Sequence, residues 1–321
     1  MGDIHVIFGT GPVGRATARA LLDRGHEVRL VNRRGRSALD GTAEADALRE
    51  VEVVAGDATD REVATRAARG AASVYQALNP TYDRWVAEFP AMQAGVLGAA
   101  EAVGARFVSM DNVYSYGRPN GRPLTERSPE QPHTTKGRLR KRMADEVWAA
   151  HAEGRVEAVS GRASDYYGPG GGEASPIGDR VLAAVVAGRR AMLLGDPDQV
   201  HSYTFIPDIG NALAELGTRD GVTGRAWHLP NDPEPWTSRA MAAEYFRLAG
   251  AEPRIGALPK IALRLAGLFD PVIREIIEMS YEFEEPFIVD SADIAALGLT
   301  ATPIPEALAQ TYEAYHAARP A

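Results

Sequence analysis

The stretch IHVIFGTGPVGRATARALLDRG, residues 4–25, constrains the chain more than any other. Its first part, 4–9, is a short apolar run that reads as a buried strand. Residues 12–24 carry helical spacing and stop at Gly25, a residue that commonly ends helices. Between them GTGPVG, residues 9–14, matches G-x-G-x-x-G with a strand before it and a helix after it. In that context Gly9 allows the tight turn and Gly14 allows close strand–helix packing. Gly11 lets a pyrophosphate reach the backbone, where helix N-terminal amides point at it. Thr10, Pro12 and Val13 complete this cradle.

The alternation continues. Strands are expected at 27–33, 51–57, 72–79 and 105–114, with helices near 60–69, over 82–103 and from about 134. Strands that alternate with helices pair in parallel through crossovers, so the expected class is α/β with a doubly wound parallel sheet. The chain of 321 residues has room for a second, smaller lobe. Residues 1–165 are assigned to nucleotide binding, joined by 201–230. The substrate lobe takes 166–200 and 231–321.

The end of the second strand selects the cofactor. An NAD-binding chain usually places an acid there for the ribose 2′-hydroxyl. This chain has Asn32, Arg33 and Arg34, with Arg36 close by. Arginines suit a 2′-phosphate, so NADP(H) is the expected cofactor, with NAD(H) as the lesser one. Asp57, followed by Ala58, is placed to meet an adenine amine. A net charge of −8 speaks against nucleic acid and acidic membranes as partners. The absence of cysteine removes thiolate chemistry, and the seven histidines lack metal-ligand spacing. No apolar stretch is long enough to span a bilayer, and the start lacks signal-peptide features, so a cytoplasmic location is expected.

With these motifs in place the chain resembles the short-chain dehydrogenase/reductase superfamily, in its extended and atypical, epimerase/dehydratase-like branch. GTGPVG and GDATD match the family's glycine and adenine-side motifs. Ala77, Leu78 and Asn79 resemble the segment that runs beside the cofactor. GRASDYYGPGGG (161–172), HSYTFIPDIGNALAELG (201–217) and GRAWHLPND (224–232) resemble later family segments. The resemblance implies a Rossmann fold and a nicotinamide cofactor. It departs at the chemistry. Met110 stands where the family serine aligns, with Ser109 one residue early. The family's Tyr-x-x-x-Lys aligns with Lys136 and Arg140. Asn112, Tyr114 and Tyr116 are candidate stand-ins.

A helical wheel sorts the basic run that begins at 136. Lys136 and Arg140 share a stripe with Leu139, Met143, Val147 and Ala150, while Arg138, Lys141, Arg142 and Asp145 face the other way. The outer charges are expected in solvent. A buried charge needs a partner, so the inner two should find cofactor oxygens or an acid such as Asp111 or Asp165. A structural ion pair is the plainer alternative. On the functional reading Arg140 grips the nicotinamide ribose, and Lys136, helped by Tyr114 and Asn112, polarises the substrate oxygen. Tyr116, Asp165, Tyr166, His201 and Tyr203 are candidates to line a substrate pocket, although ordinary packing accounts for aromatics equally well. The acids of YEFEEPF (281–287) are expected on a solvated surface. The function read from all this is an NADP(H)-dependent oxidoreductase acting on a small organic carbonyl or alcohol. A non-catalytic cofactor-binding sensor and a sugar-nucleotide-type epimerase or dehydratase are the alternatives. A homodimer through helices 82–103 and 134–152 is also expected.

Overall fold

The structure is a computed structural model that describes residues 3–36, 48, 51–259, 261, 265 and 267–318. It divides into two compact units of comparable length. The first comprises residues 1–112, 139–162 and 209–227, and the second 113–138, 163–208 and 228–321.

The first unit is built from β1 (Ile4–Phe8), α1 (Pro12–Leu22), β2 (Glu27–Asn32), β3 (Glu52–Ala55), α2 (Arg61–Ala67), β4 (Ala71–Gln76), α3 (Trp85–Val103) and β5 (Arg106–Asn112). To these are added most of α4 (Thr135–Ala152) and β6 (Ala158–Ala163). The central sheet has seven strands in the order β10-β6-β5-β4-β1-β2-β3, where β10 is Ala226–His228. The order reverses beside β1, as a doubly wound sheet requires, and β1 pairs in parallel with both β2 and β4. The α/β class read from the alternation is the class observed.

Local chemistry explains the first elements. Proline opens α1, where its missing N–H costs nothing. The helix ends at Leu22, and the chain turns through Gly25 at φ 80°. In α4 the wheel is realised. Leu139, Met143, Val147 and Ala150 are buried, Lys136 and Arg140 are buried with them, and Arg138, Arg142 and Asp145 are exposed.

The second unit contains β7 (Asp165–Tyr167), α5 (Asp179–Val186), β8 (Ala191–Leu193) and β9 (Tyr203–Phe205), and most of it lies C-terminal. The helix α6 (Ile206–Thr218) begins here. It continues with α7 (Ser238–Leu248), β11 (Ile255–Ala257), α8 (Pro271–Glu278), α9 (Ala292–Ala295) and α10 (Ile304–Ala317). Two small parallel pairs form, β7 with β9 and β8 with β11. Its own core joins Tyr167, Val181, Phe205, Phe246 and Leu308. Among the described residues no helix is long and apolar enough to cross a membrane.

The buried stripe of α4 yields a paired prediction. Leu139→Ala should cost about 2–5 kcal/mol, the usual range for a buried leucine. Arg142→Ala on the opposite face should stay within about 0.5 kcal/mol. Urea unfolding of both variants checks the difference, and equal costs would reject the assigned face.

Candidate cofactor and active site

The glycine turn of the first unit has the shape a pyrophosphate needs. Gly9 sits at φ 117°, and a Cβ there would lie 2.5 Å from the Ala77 carbonyl oxygen. A Cβ on Gly14 would lie 2.1 Å from the Gly9 oxygen, so strand and helix touch through bare backbone. Nothing lies within 4 Å of a Cβ built on Gly11, which leaves open space over the start of α1. Gly11 is the N-cap of that helix and offers no side-chain cap, so its first amides are available to an anion. Val13 is buried, and Thr10 and Pro12 are partly exposed.

The end of β2 is organised by Asn32. Its Oδ1 accepts from the amides of Arg34 at 2.9 Å and Gly35 at 2.8 Å, and its Nδ2 donates to Thr10 Oγ1 at 3.2 Å and the Arg36 carbonyl at 3.0 Å. Asn32 therefore builds the turn, and the turn leaves Arg33 and Arg34 exposed. Asp57, past β3, accepts from the Thr59 amide and hydroxyl. These bonds, with a smaller contribution from Arg33, hold its carboxyl below the usual range. Ala58 is buried beside it. Ala77 follows β4 and donates its amide to Phe8 at 2.8 Å, with Leu78 partly buried and Asn79 exposed.

Arg140 lies inside the first unit. Its Nε donates to Asp111 Oδ1 at 2.9 Å, and its Nη2 reaches the same oxygen and the Met110 carbonyl. Arg162 on β6 takes the other oxygen of Asp111 at 3.2 Å. Burial alone would raise the Asp111 carboxyl, but the two guanidinium groups more than offset it and bring it below its ordinary value. The Arg140 guanidinium also stacks over Phe89 at 4.7 Å. Its Nη1 is buried and makes no hydrogen bond among the described residues. Such a donor fits a cofactor hydroxyl, just as the open Gly11 fits a pyrophosphate.

Lys136 lies in the second unit, 1 % exposed. Its ammonium is bound by Glu275 of α8, with Glu278 at 3.5 Å. The carboxylates it meets are therefore neither Asp111 nor Asp165. Glu278 also accepts the Thr135 amide at the start of α4. Tyr114 and Tyr116 are both buried. The Tyr116 hydroxyl lies 2.9 Å from His228 Nε2, and His228 Nδ1 donates to the Asp290 carbonyl at 2.7 Å, because a carbonyl only accepts. Asn112 closes β5, and its amide donates to Asp111 at 2.7 Å.

The substrate-side candidates fall in one unit, and three of them meet. His201 joins Asp165 through Nε2 at 2.9 Å and packs on Tyr203 at 4.5 Å between ring centroids. Tyr203 hydrogen-bonds Ser238 at 2.6 Å, and burial raises its hydroxyl. Tyr166 is partly buried, and its hydroxyl is raised by burial and by Asp165. The expectation for YEFEEPF requires correction. Glu282 is 1 % exposed, and burial, reinforced by Asp165, holds its carboxyl well above the ordinary value. The motif folds its aromatic residues Tyr281 and Phe283 inward, and Glu282 between them goes inward too. Glu275, Glu278, Arg162 and His228 were not singled out by the sequence. Their partners lie 51 to 143 residues away, beyond any local pattern. Among the described residues no His, Asp and Glu cluster could hold a metal ion.

The profile of the NAD dependent epimerase/dehydratase family matches residues 4–229. No curated protein matches the chain by sequence. Several solved structures share its fold over 98 % of its length. A UDP-glucose 4-epimerase from Thermotoga maritima, solved with UDP-glucose, is 16 % identical with a TM-score of 0.78 and 98 % of its own chain covered. A putative epimerase from Burkholderia cenocepacia is 18 % identical with a TM-score of 0.79, again with 98 % covered. A dTDP-glucose 4,6-dehydratase from Streptomyces venezuelae, a double mutant solved with NAD and DAU bound, is 20 % identical with a TM-score of 0.76 and 96 % covered.

The buried charges give the second prediction. Asp111→Ala leaves two buried guanidinium groups without their carboxylate and should cost about 3–5 kcal/mol. Because the folded-state value of Asp111 is depressed, its contribution is present above the unfolded value, about 3.9, and is lost as pH falls from there. Unfolding free energies at pH 7 and pH 3 check both statements. A variant as stable as the parent at pH 7 would refute them.

Proposed function

Because the chain belongs to the NAD-dependent epimerase/dehydratase family, we propose that it is an NADP(H)-dependent oxidoreductase acting on a small organic carbonyl or alcohol. The observation that carries the cofactor choice is the turn built by Asn32, which presents Arg33 and Arg34 to solvent where an acid would serve NAD. A bound nicotinamide would supply or accept the hydride. The amides at the start of α1 would hold its pyrophosphate, Arg33 and Arg34 its 2′-phosphate, and Asp57 its adenine. Ala77, Leu78 and Asn79 would flank it. Arg140 would give its remaining Nη1 to a ribose hydroxyl while Asp111 fixes the rest of the group.

The altered chemistry separates this reading from epimerisation. No tyrosine stands at position 136, and Lys136 is committed to two carboxylates. A role for Lys136 with Tyr114 and Asn112 in polarising a substrate oxygen requires that ion pair to open. Tyr116 stands ready as a hydroxyl already coupled to a buried imidazole. The substrate is a small molecule whose class follows from the oxidoreductase assignment. The paired helices α3 and α4 remain our proposed homodimer face.

Two measurements test the proposal. Arg33→Ala with Arg34→Ala should raise the NADPH dissociation constant by about one to two tenfold steps, because a charge-assisted bond is worth roughly 1.5–3 kcal/mol. The NADH constant should hardly move, and equal losses would reject the 2′-phosphate assignment. NADPH consumption should appear with some member of a carbonyl panel. Tight binding without any turnover would make the protein a cofactor sensor instead.

A further inference from the structure

The proton that accompanies the hydride needs an ionisable group that a substrate can reach. Arg140 is held by Asp111. Lys136, Tyr114 and Tyr116 are all buried. Among the candidate site residues of the second unit, Asp165 differs. The Asp165 side chain keeps 15 % of its surface exposed, while His201 behind it keeps 2 %.

We propose that Asp165 is the residue that exchanges a proton with the substrate, and that His201 is its positioning residue. The substrate half of this statement rests on the oxidoreductase reading, and the pairing itself does not.

The hydrogen bonds of His201 carry the argument. Its Nδ1 lies 3.0 Å from the Glu282 carbonyl oxygen. A carbonyl only accepts, so Nδ1 carries a hydrogen. Its Nε2 lies 2.9 Å from Asp165 Oδ2. One proton occupies that second bond, on Nε2 as an imidazolium or on Oδ2 as a neutral acid. The two forms have the same net charge and differ only in where that proton sits. The ring is fixed between Phe283 at 4.7 Å and 11° and Phe287 at 5.3 Å and 19°. The aromatic faces also favour the cationic form.

The surroundings leave His201 as the close counter-charge of Asp165. Burial, reinforced by Asp165, holds the Glu282 carboxyl well above its ordinary value. Burial also raises the hydroxyls of Tyr166, Tyr203 and Tyr281, so these stay neutral. Arg118 lies 5.2 Å over the Tyr281 ring and is paired with Glu285 at 2.8 Å. Chain position adds a second argument. Asp165 opens β7 two residues after β6 ends at Ala163, and doubly wound sheets bind ligands outside the carboxyl ends of their strands. In alcohol oxidation the substrate O–H bond breaks and an O–H bond forms on Asp165. The C–H electron pair leaves as hydride to an oxidised nicotinamide dinucleotide, the C–O bond becomes C=O, and Asp165 releases the proton to water. Carbonyl reduction reverses each transfer.

The test uses the full chain in two arms. In ligand-free protein, nitrogen-15 and carbon-13 NMR should show His201 Nδ1 protonated throughout, with the Nε2 and Asp165 carboxyl signals changing together at each step, because interacting groups titrate as a pair. Asp165→Asn should leave His201 as a neutral ring. A step seen at one partner alone, or a bare Nδ1, would overturn the pairing whatever the activity. In the second arm Asp165→Asn should lower turnover about a hundredfold or more with NADPH affinity unchanged. His201→Asn should move the corresponding limb of the pH–rate profile while keeping it. Full activity in Asp165→Asn, beside an active parent, overturns the Asp165 assignment alone. A parent that turns over no carbonyl overturns the enzymatic reading, and proton exchange with a substrate falls with it.

Discussion

One carboxylate, that of Asp111, holds two arginines inside the first unit. Burying a guanidinium costs several kcal/mol after relaxation, and the cost is offset only where charge and hydrogen bonds meet it closely. Asp111 does this for Arg140 on α4 and Arg162 on β6 from its own place on β5. Three elements adjacent in the unit thereby share one electrostatic centre. The apolar stripe of α4 can then lie flat against its neighbours with a charge in its midst. Were Asp111 neutral, the same stripe would have to expel Arg140 or lose its register.

Much of this was legible in the chain. The glycine turn, the alternation of elements and the inward stripe of α4 depend on residues within a few turns of one another, and each follows from local period and sterics. The partner proposed for Arg140 was also found, because Asp111 sits at the end of a strand already read. What escaped was set by distance along the chain. Lys136 meets Glu275 across 139 residues, and no pattern near 136 selects among the acids of α8. Glu282 reads as a solvated acid by composition, yet the aromatic residues beside it carry it inward.

Asn32 stands at the end of β2, where NAD-binding chains usually place an acid. An acid at the end of β2 would touch a ribose directly. The amide side chain instead gives one hydrogen bond to Thr10 and three to the turn that follows, and Arg33 and Arg34 stand exposed beyond it. Lys136, at a position tied to proton transfer in the resembled family, fastens α8 to the start of α4.

That fastening has a consequence for how the chain is made. The first turn of α4 is capped locally by Thr134, which accepts the Gly137 amide at 3.0 Å, and remotely by Glu278, which takes the Thr135 amide. On a ribosome the two halves of the remote cap emerge 143 residues apart. At about 5–20 residues per second this is a delay of roughly 7–30 s. Through that interval Glu275 and Glu278 are not yet made, and water meets Lys136 and the Thr135 amide in their place. The nascent first unit therefore has a helix whose apolar stripe is ready while its leading turn waits for the C-terminal third of the protein.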